Sequence, residues 1–125
     1  MVSKPKVMVT GIGVISPLGL NVDSSWQGLI AGISGIDTIT SFPLDGLETT
    51  IAGEVKNFDP VGYFGPKEAR RMDRFVQLGA AATLEAIESA GLVINDSNRN
   101  RVSVMIASGI GGIITLSEQI GVMKD

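Results

Sequence analysis

Val7-Met8-Val9-Thr10-Gly11-Ile12-Gly13 is a short apolar, β-rich run that stops at two closely spaced glycines. A run of this kind, bounded by glycine, reads as a buried strand. A loop from Gly11 to about Asn21 follows, and then a helix. Asn21 suits its N-cap and Asp23 its first turn, where negative charge is favoured. Val22, Trp26, Leu29, Ile30 and Ile33 recur at helical spacing, and Gly32 marks the stop.

Working outward, residues 34–50 mix Gly, Pro, Asp, Ser and Thr without a period and read as loop. Ile51 to Val55 reads as a weak, edge-like strand, and Asn57-Phe58-Asp59-Pro60 as a turn. A helical pattern starts near Pro66, which suits a first helical position, and ends at Gly91. Asp73 could instead cap a second helix after a short first one. Gly79 and Ala80-Ala81-Ala82 make this helix slim enough for a close neighbour. Val102 to Ala107 is almost continuously apolar, the pattern of a strand covered on both faces. Ser108 to Gly112 is a glycine-rich turn, followed by a helix carrying Ile113, Leu116 and Ile120 that ends near Gly121. Alternating strands and helices predict α/β layers with parallel pairing, in one unit or part of one spanning residues 1–125.

Composition narrows the function classes. The 125 residues carry a net charge of −3, which argues against general nucleic-acid binding. There is no cysteine and no histidine, so disulfides, thiolate chemistry, cysteine-ligated metals and the commonest proton shuttle are missing. No catalytic residue, metal cluster or cofactor motif can be assembled from what remains. Hydrophobic residues make up 44% and charged residues 18%, an apolar excess that either packs helices on both sides or leaves surface for absent polypeptide. Lys4 and Lys6 before Val7-Met8-Val9 superficially resemble a signal peptide, but Gly11, Gly13, Pro17 and Gly19 break the run. The uncharged stretches are too short to span a membrane, so a soluble protein is expected, and the absence of cysteine fits a reducing cytoplasm.

Three features invite a functional reading. Thr10-Gly11-Ile12-Gly13 suggests a dinucleotide loop, yet the third glycine is missing near Ser16 and the helix opens late, so simple turn geometry is preferred. Lys67, Arg70, Arg71 and Arg74 would share an arc of roughly 100° on one helix, a stripe that could attract an anionic partner. Glu68 and Asp73 offset part of that charge, as on an ordinary solvated face. Ser108-Gly109-Ile110-Gly111-Gly112 lies at a strand's carboxyl end, where open α/β sheets place ligands.

Together these segments resemble one family. Val9-Thr10-Gly11-Ile12-Gly13-Val14-Ile15-Ser16-Pro17-Leu18-Gly19 is similar to the opening strand and turn of β-ketoacyl-[acyl carrier protein] synthases. Trp26, Leu29, Gly32, Ser34, Gly35 and Ile36 match a second segment of theirs, and Arg71-Met72-Asp73-Arg74-Phe75 with Ala107 to Gly112 a third. The resemblance runs from Lys6 to about Gly121 and favours the elongating type II enzyme, with polyketide ketosynthases close by. It implies part of a thiolase-type fold of stacked α-β-α-β-α layers, working as a homodimer without a cofactor. It also implies decarboxylative Claisen condensation of an acyl-enzyme with malonyl-[acyl carrier protein], for which the family uses a cysteine and two histidines absent from this chain. The chain is therefore expected to be an inactive amino-terminal piece that self-associates. Lys67, Arg70 and Arg71 match positions that contact the acyl carrier protein. Ile110, between Gly109 and Gly111, matches a residue lining the acyl pocket. The rival reading is a non-catalytic α/β module that docks an acidic protein through the basic helix; a cysteine and two histidines encoded past Asp125 would separate the two.

Overall fold

The computed structural model describes residues 6–124; Lys4 of the signal-like start lies outside the described residues. Helix α1 spans Val22–Ile30 and begins as its sequence requires. Asn21 Oδ1 accepts from the Ser24 amide at 2.7 Å while Ser24 Oγ accepts from the Asn21 amide at 3.3 Å, a reciprocal cap. Gly32, with φ +67°, ends it. Strands β1 (Ile36–Thr38) and β2 (Ile51–Gly53) pair antiparallel, Asp37 opposite Ala52. The strand at Ile51 is as expected, but β1 falls in the stretch read as loop. Three residues are too few for an alternating pattern to register.

The Glu54 carboxylate fixes the end of this ribbon, accepting from the Thr40 amide and hydroxyl at 2.9 Å each and from the Ser41 amide at 3.0 Å and Ser41 hydroxyl. Bonding by the Ser41 hydroxyl, then by the Thr40 amide and hydroxyl, lowers the Glu54 pKa from 4.5 to about 2. Because the folded value lies below the unfolded one, the stabilisation is complete above pH 4.5 and drains away as pH falls towards 2. An NMR titration of the Glu54 carboxyl carbon is expected to give a midpoint near 2; a midpoint at the ordinary glutamate value would show that the hydroxyl clamp does not form. Asp37 is lowered as well, chiefly by its bond with the Lys56 ammonium at 3.0 Å.

Helix α2 (Pro60–Ala69) starts at Pro60 rather than Pro66, because Asp59 caps it by accepting from the Val61 and Gly62 amides at 2.9 and 3.2 Å. Gly65, with φ +74°, breaks it, and Pro66 reopens it. Helix α3 (Arg74–Ser89) begins after extended Asp73 and ends before Gly91, whose φ is +59°. The two-helix alternative therefore holds. Gln77 Nε2 donates to the Ala69 and Met72 carbonyls at 2.8 and 3.2 Å, closing the end of α2 from within α3. Phe58, Ala69 and Ala81 are buried between these elements, with Tyr63 stacked on Phe58 at 5.2 Å. A single 3₁₀ turn, Arg99–Arg101, precedes helix α4, Ile113–Lys124, which continues past Gly121.

The two apolar runs depart from expectation. Val7 to Val9 and Val102 to Ala107 carry no strand pairing among the described residues. Val7 is 92% exposed and Met105 97%. The glycines just after the first run and Ile106 of the second nonetheless lie against α3: Gly11 and Gly13 rest on its Ala82 and Ala86 turns and on Ala90 at its C-cap, and Ile106 packs at Gly79. A parallel strand gains its stability from neighbours on both edges and cover on both faces. Here a helix supplies one face, and nothing among the described residues supplies the rest.

Candidate functional site

The site is built from the α2–α3 corner and the turn before α4. Lys67 and Arg71 project from α2 and its end into solvent, and Arg70 caps the helix. Arg70 Nε donates to the Pro66 carbonyl at 3.1 Å, which orients its guanidinium. Arg71 meets Glu68 at 3.5 Å with both side chains more than half exposed, a weak pair that leaves the cation available.

Arg74 does not join them. Its guanidinium lies 4.9 Å over the Phe58 ring and donates to the Val55 carbonyl at 3.2 Å. The single-helix stripe of four is thereby corrected to an exposed group of three. The chain extends at Asp73, so Arg74 opens a new helix and turns its charge inward on an aromatic face.

Across the corner, Gly111 has φ +78° and donates its amide to Ser108 Oγ at 3.1 Å. This bond folds the Ser108–Gly112 turn and leaves Ile110 at its tip, 78% exposed. Gly111 and Gly112 border a cavity of 210 Å³ with Asp73, Phe75, Leu78 and Ile113. Gly109 and Ile110 do not border it. A larger, mainly apolar cavity of 420 Å³ lies between the Gly13–Ile15 turn, α3 and the end of the second apolar run, bounded by Val14, Phe75, Leu78 and Ile106.

One residue of consequence was not singled out from the sequence. Glu85 on α3 accepts from the Val14 amide at 2.8 Å and the Val22 amide at 2.7 Å, tying the opening turn and the start of α1 to one carboxylate. Its signal was faint: an acid on the same helix face as Ala82 and Ala86, where close packing called for small apolar residues. This tie also argues against the dinucleotide reading. The α1 amino terminus already holds a carboxylate, and the adjoining cavity of 450 Å³ is bordered by Glu85 and Asp23, which repel phosphate.

Slim helix α3 is crossed by glycine-bearing apolar segments, with a basic corner beside a glycine-flanked turn, and likeness to a solved ketosynthase places this arrangement among thiolase-like α/β folds. The solved structure titled "The ishigamide ketosynthase/chain length factor" shares the arrangement, with TM-score 0.70 and 31% identity over 94% of this chain and 30% of that one. Residues 4–124 match the model of the beta-ketoacyl synthase N-terminal domain, and the chain belongs to that family. Among similar proteins, 3-oxoacyl-[acyl-carrier-protein] synthase 2 of Vibrio cholerae is 49% identical over 111 residues, 89% of this chain and 27% of the relative. Its Synechocystis counterpart is 42% identical over 122 residues, 98% of this chain and 29% of the relative. The Staphylococcus aureus N315 protein of the same name is 43% identical over 92% of this chain and 28% of its own length. The chain thus spans less than a third of the relatives it matches.

Proposed function

We propose that this chain forms the amino-terminal part of a fatty-acid condensing enzyme, which elongates an acyl chain by decarboxylative Claisen condensation with malonyl-[acyl carrier protein]. The observation that carries the reading is the match over residues 4–124, joined to identities of 42–49% with relatives of one name. The fatty-acid reading is preferred to the polyketide one because identity to the solved ketosynthase/chain length factor is lower, at 31%. In the reaction, decarboxylation of the malonyl group generates the carbon nucleophile; it attacks the enzyme-bound acyl thioester, forming a carbon–carbon bond and releasing the thiolate. A chain with no cysteine and no histidine cannot supply the thiol or imidazoles, so other polypeptide brings them. Nor do the described residues offer a cluster able to hold a metal.

The chain's own contribution is recognition. Lys67, Arg70 and Arg71 dock the acidic carrier protein, and Ile110, with Gly109 and Gly111 beside it, meets the acyl tail. In this reading the enzyme works as a cytoplasmic homodimer. No helix among the described residues is long and apolar enough to cross a membrane.

Reversing all three cations to glutamate is expected to weaken carrier-protein binding about tenfold, mostly through slower association that parent protein also shows at high salt. Titration of carrier protein against parent and variant, with circular dichroism to confirm an unchanged fold, makes the measurement. Equal affinities would remove the corner from the docking surface.

A further inference from the structure

Asp73 occupies the N-cap position of α3, yet its side chain makes no capping bond there. An aspartate at that position ordinarily accepts from its own helix's first amides. Here the carboxylate turns away towards α4. It accepts from the Thr115 hydroxyl and lies so close to Gly112 that a Cβ at that position would overlap it. Glycine at 112 is what lets the carboxylate in. The contact also sets a negative charge beside the first turn of α4, where the helix dipole favours it.

We propose that Asp73 is a positioning residue, which pins the Ser108–Gly112 turn, and with it Ile110, to the corner carrying Arg70 and Arg71. The proposal rests on the acyl-contacting role given to Ile110 above. The turn is held internally by the Gly111 amide on Ser108 Oγ, at 3.1 Å. What that bond does not fix is where the folded turn sits relative to α3. Asp73 supplies the anchor at Gly112 and Thr115, just past Ile110. Ile110 itself is 78% exposed, so its placement follows from the anchored backbone on its carboxyl side. Asp73 also lies two residues after Arg71 in an extended conformation, so docking surface and turn meet through one short, direct connection.

The test uses the complete condensing enzyme containing this chain, with Asp73→Ala, Asp73→Asn, Thr115→Val and Ile110→Phe variants. Its readout is the ratio of kcat/KM for a long and a short acyl primer on carrier protein. Asp73→Ala and Thr115→Val are expected to shift that ratio about tenfold, the lower end of the scale of one lost bond to a charged group. Their double variant should shift it no further, because both break the same contact. Asp73→Asn keeps an acceptor oxygen and should stay near the parent. A purely structural role would lower both rates together and leave the ratio unmoved, which overturns the proposal. Should Asp73→Ala fold poorly, Thr115→Val reads the same contact with Asp73 retained. If Ile110→Phe shifts the ratio and Thr115→Val does not, the anchor alone fails. If Ile110→Phe also leaves the ratio unchanged, the acyl-contact reading fails and the anchor's functional role with it.

Discussion

Replacing Gly13 with alanine is expected to destabilise the fold by about 3 kcal/mol or more, the upper end of what overpacking costs. A Cβ at Gly13 would come within 2.7 Å of the Ala86 amide nitrogen and still closer to the Ala82 carbonyl. Both obstacles are backbone atoms of α3, so no side chain can rotate out of the way. Gly11 repeats the arrangement one helical turn along, against Ala86 and Ala90. The match of spacings is geometric: two residues of extended chain advance about 6.6 Å, and four residues of helix advance about 6 Å. Glycines two apart therefore fall on alanines four apart. Gly109→Ala supplies the contrast, because nothing lies within 4 Å of its missing Cβ and its cost should be within about 0.5 kcal/mol. Urea unfolding followed by Trp26 fluorescence measures both. A Gly13→Ala midpoint equal to that of Gly109→Ala would mean that the opening run does not rest on α3.

Glu85→Ala should cost about 2–4 kcal/mol, because two amide bonds to one charged acceptor disappear together. The Val14 and Val22 amides belong to different elements, and Glu85 is the group that joins them. Glu85→Gln keeps one carbonyl oxygen but sets an amide donor against the second N–H, so an intermediate loss is expected. Amide hydrogen exchange locates the effect. Val14 and Val22 should lose protection in Glu85→Ala while the Ile39 amide, bonded at 3.0 Å to the Thr50 carbonyl, keeps its own. Uniform loss across all three would mean global destabilisation and no local tie. Charge alone does not explain the choice of acid here; the geometry of two converging N–H groups does.

Much of the fold was readable residue by residue. Asn21 and Asp23 announced α1, and Gly32 and Gly91 announced helix ends, because caps and left-handed backbone depend on a few adjacent atoms. The small residues of α3 announced close approach. The family resemblance, carried by short ordered motifs, was equally a property of sequence, and the match over residues 4–124 bears it out. The candidate site was legible in part. Lys67, Arg70 and Arg71 were found as cations, but Arg74 was grouped with them, since helical periodicity could not reveal the break at Asp73.

The sequence by itself determined where α1 begins and ends, where α3 ends, which helix face is slim, and which family the chain belongs to. Tertiary structure alone decided that Glu85 serves amides 71 and 63 positions away, that Arg74 turns onto Phe58, and that Asp73 faces α4. It also decided that Val7 to Val9 and Val102 to Ala107, apolar enough to be buried strands, stand unpaired among the described residues. Local rules act through neighbouring backbone atoms and so are written in short spans. Partners distant along the chain are set by how the elements pack, which no short span contains.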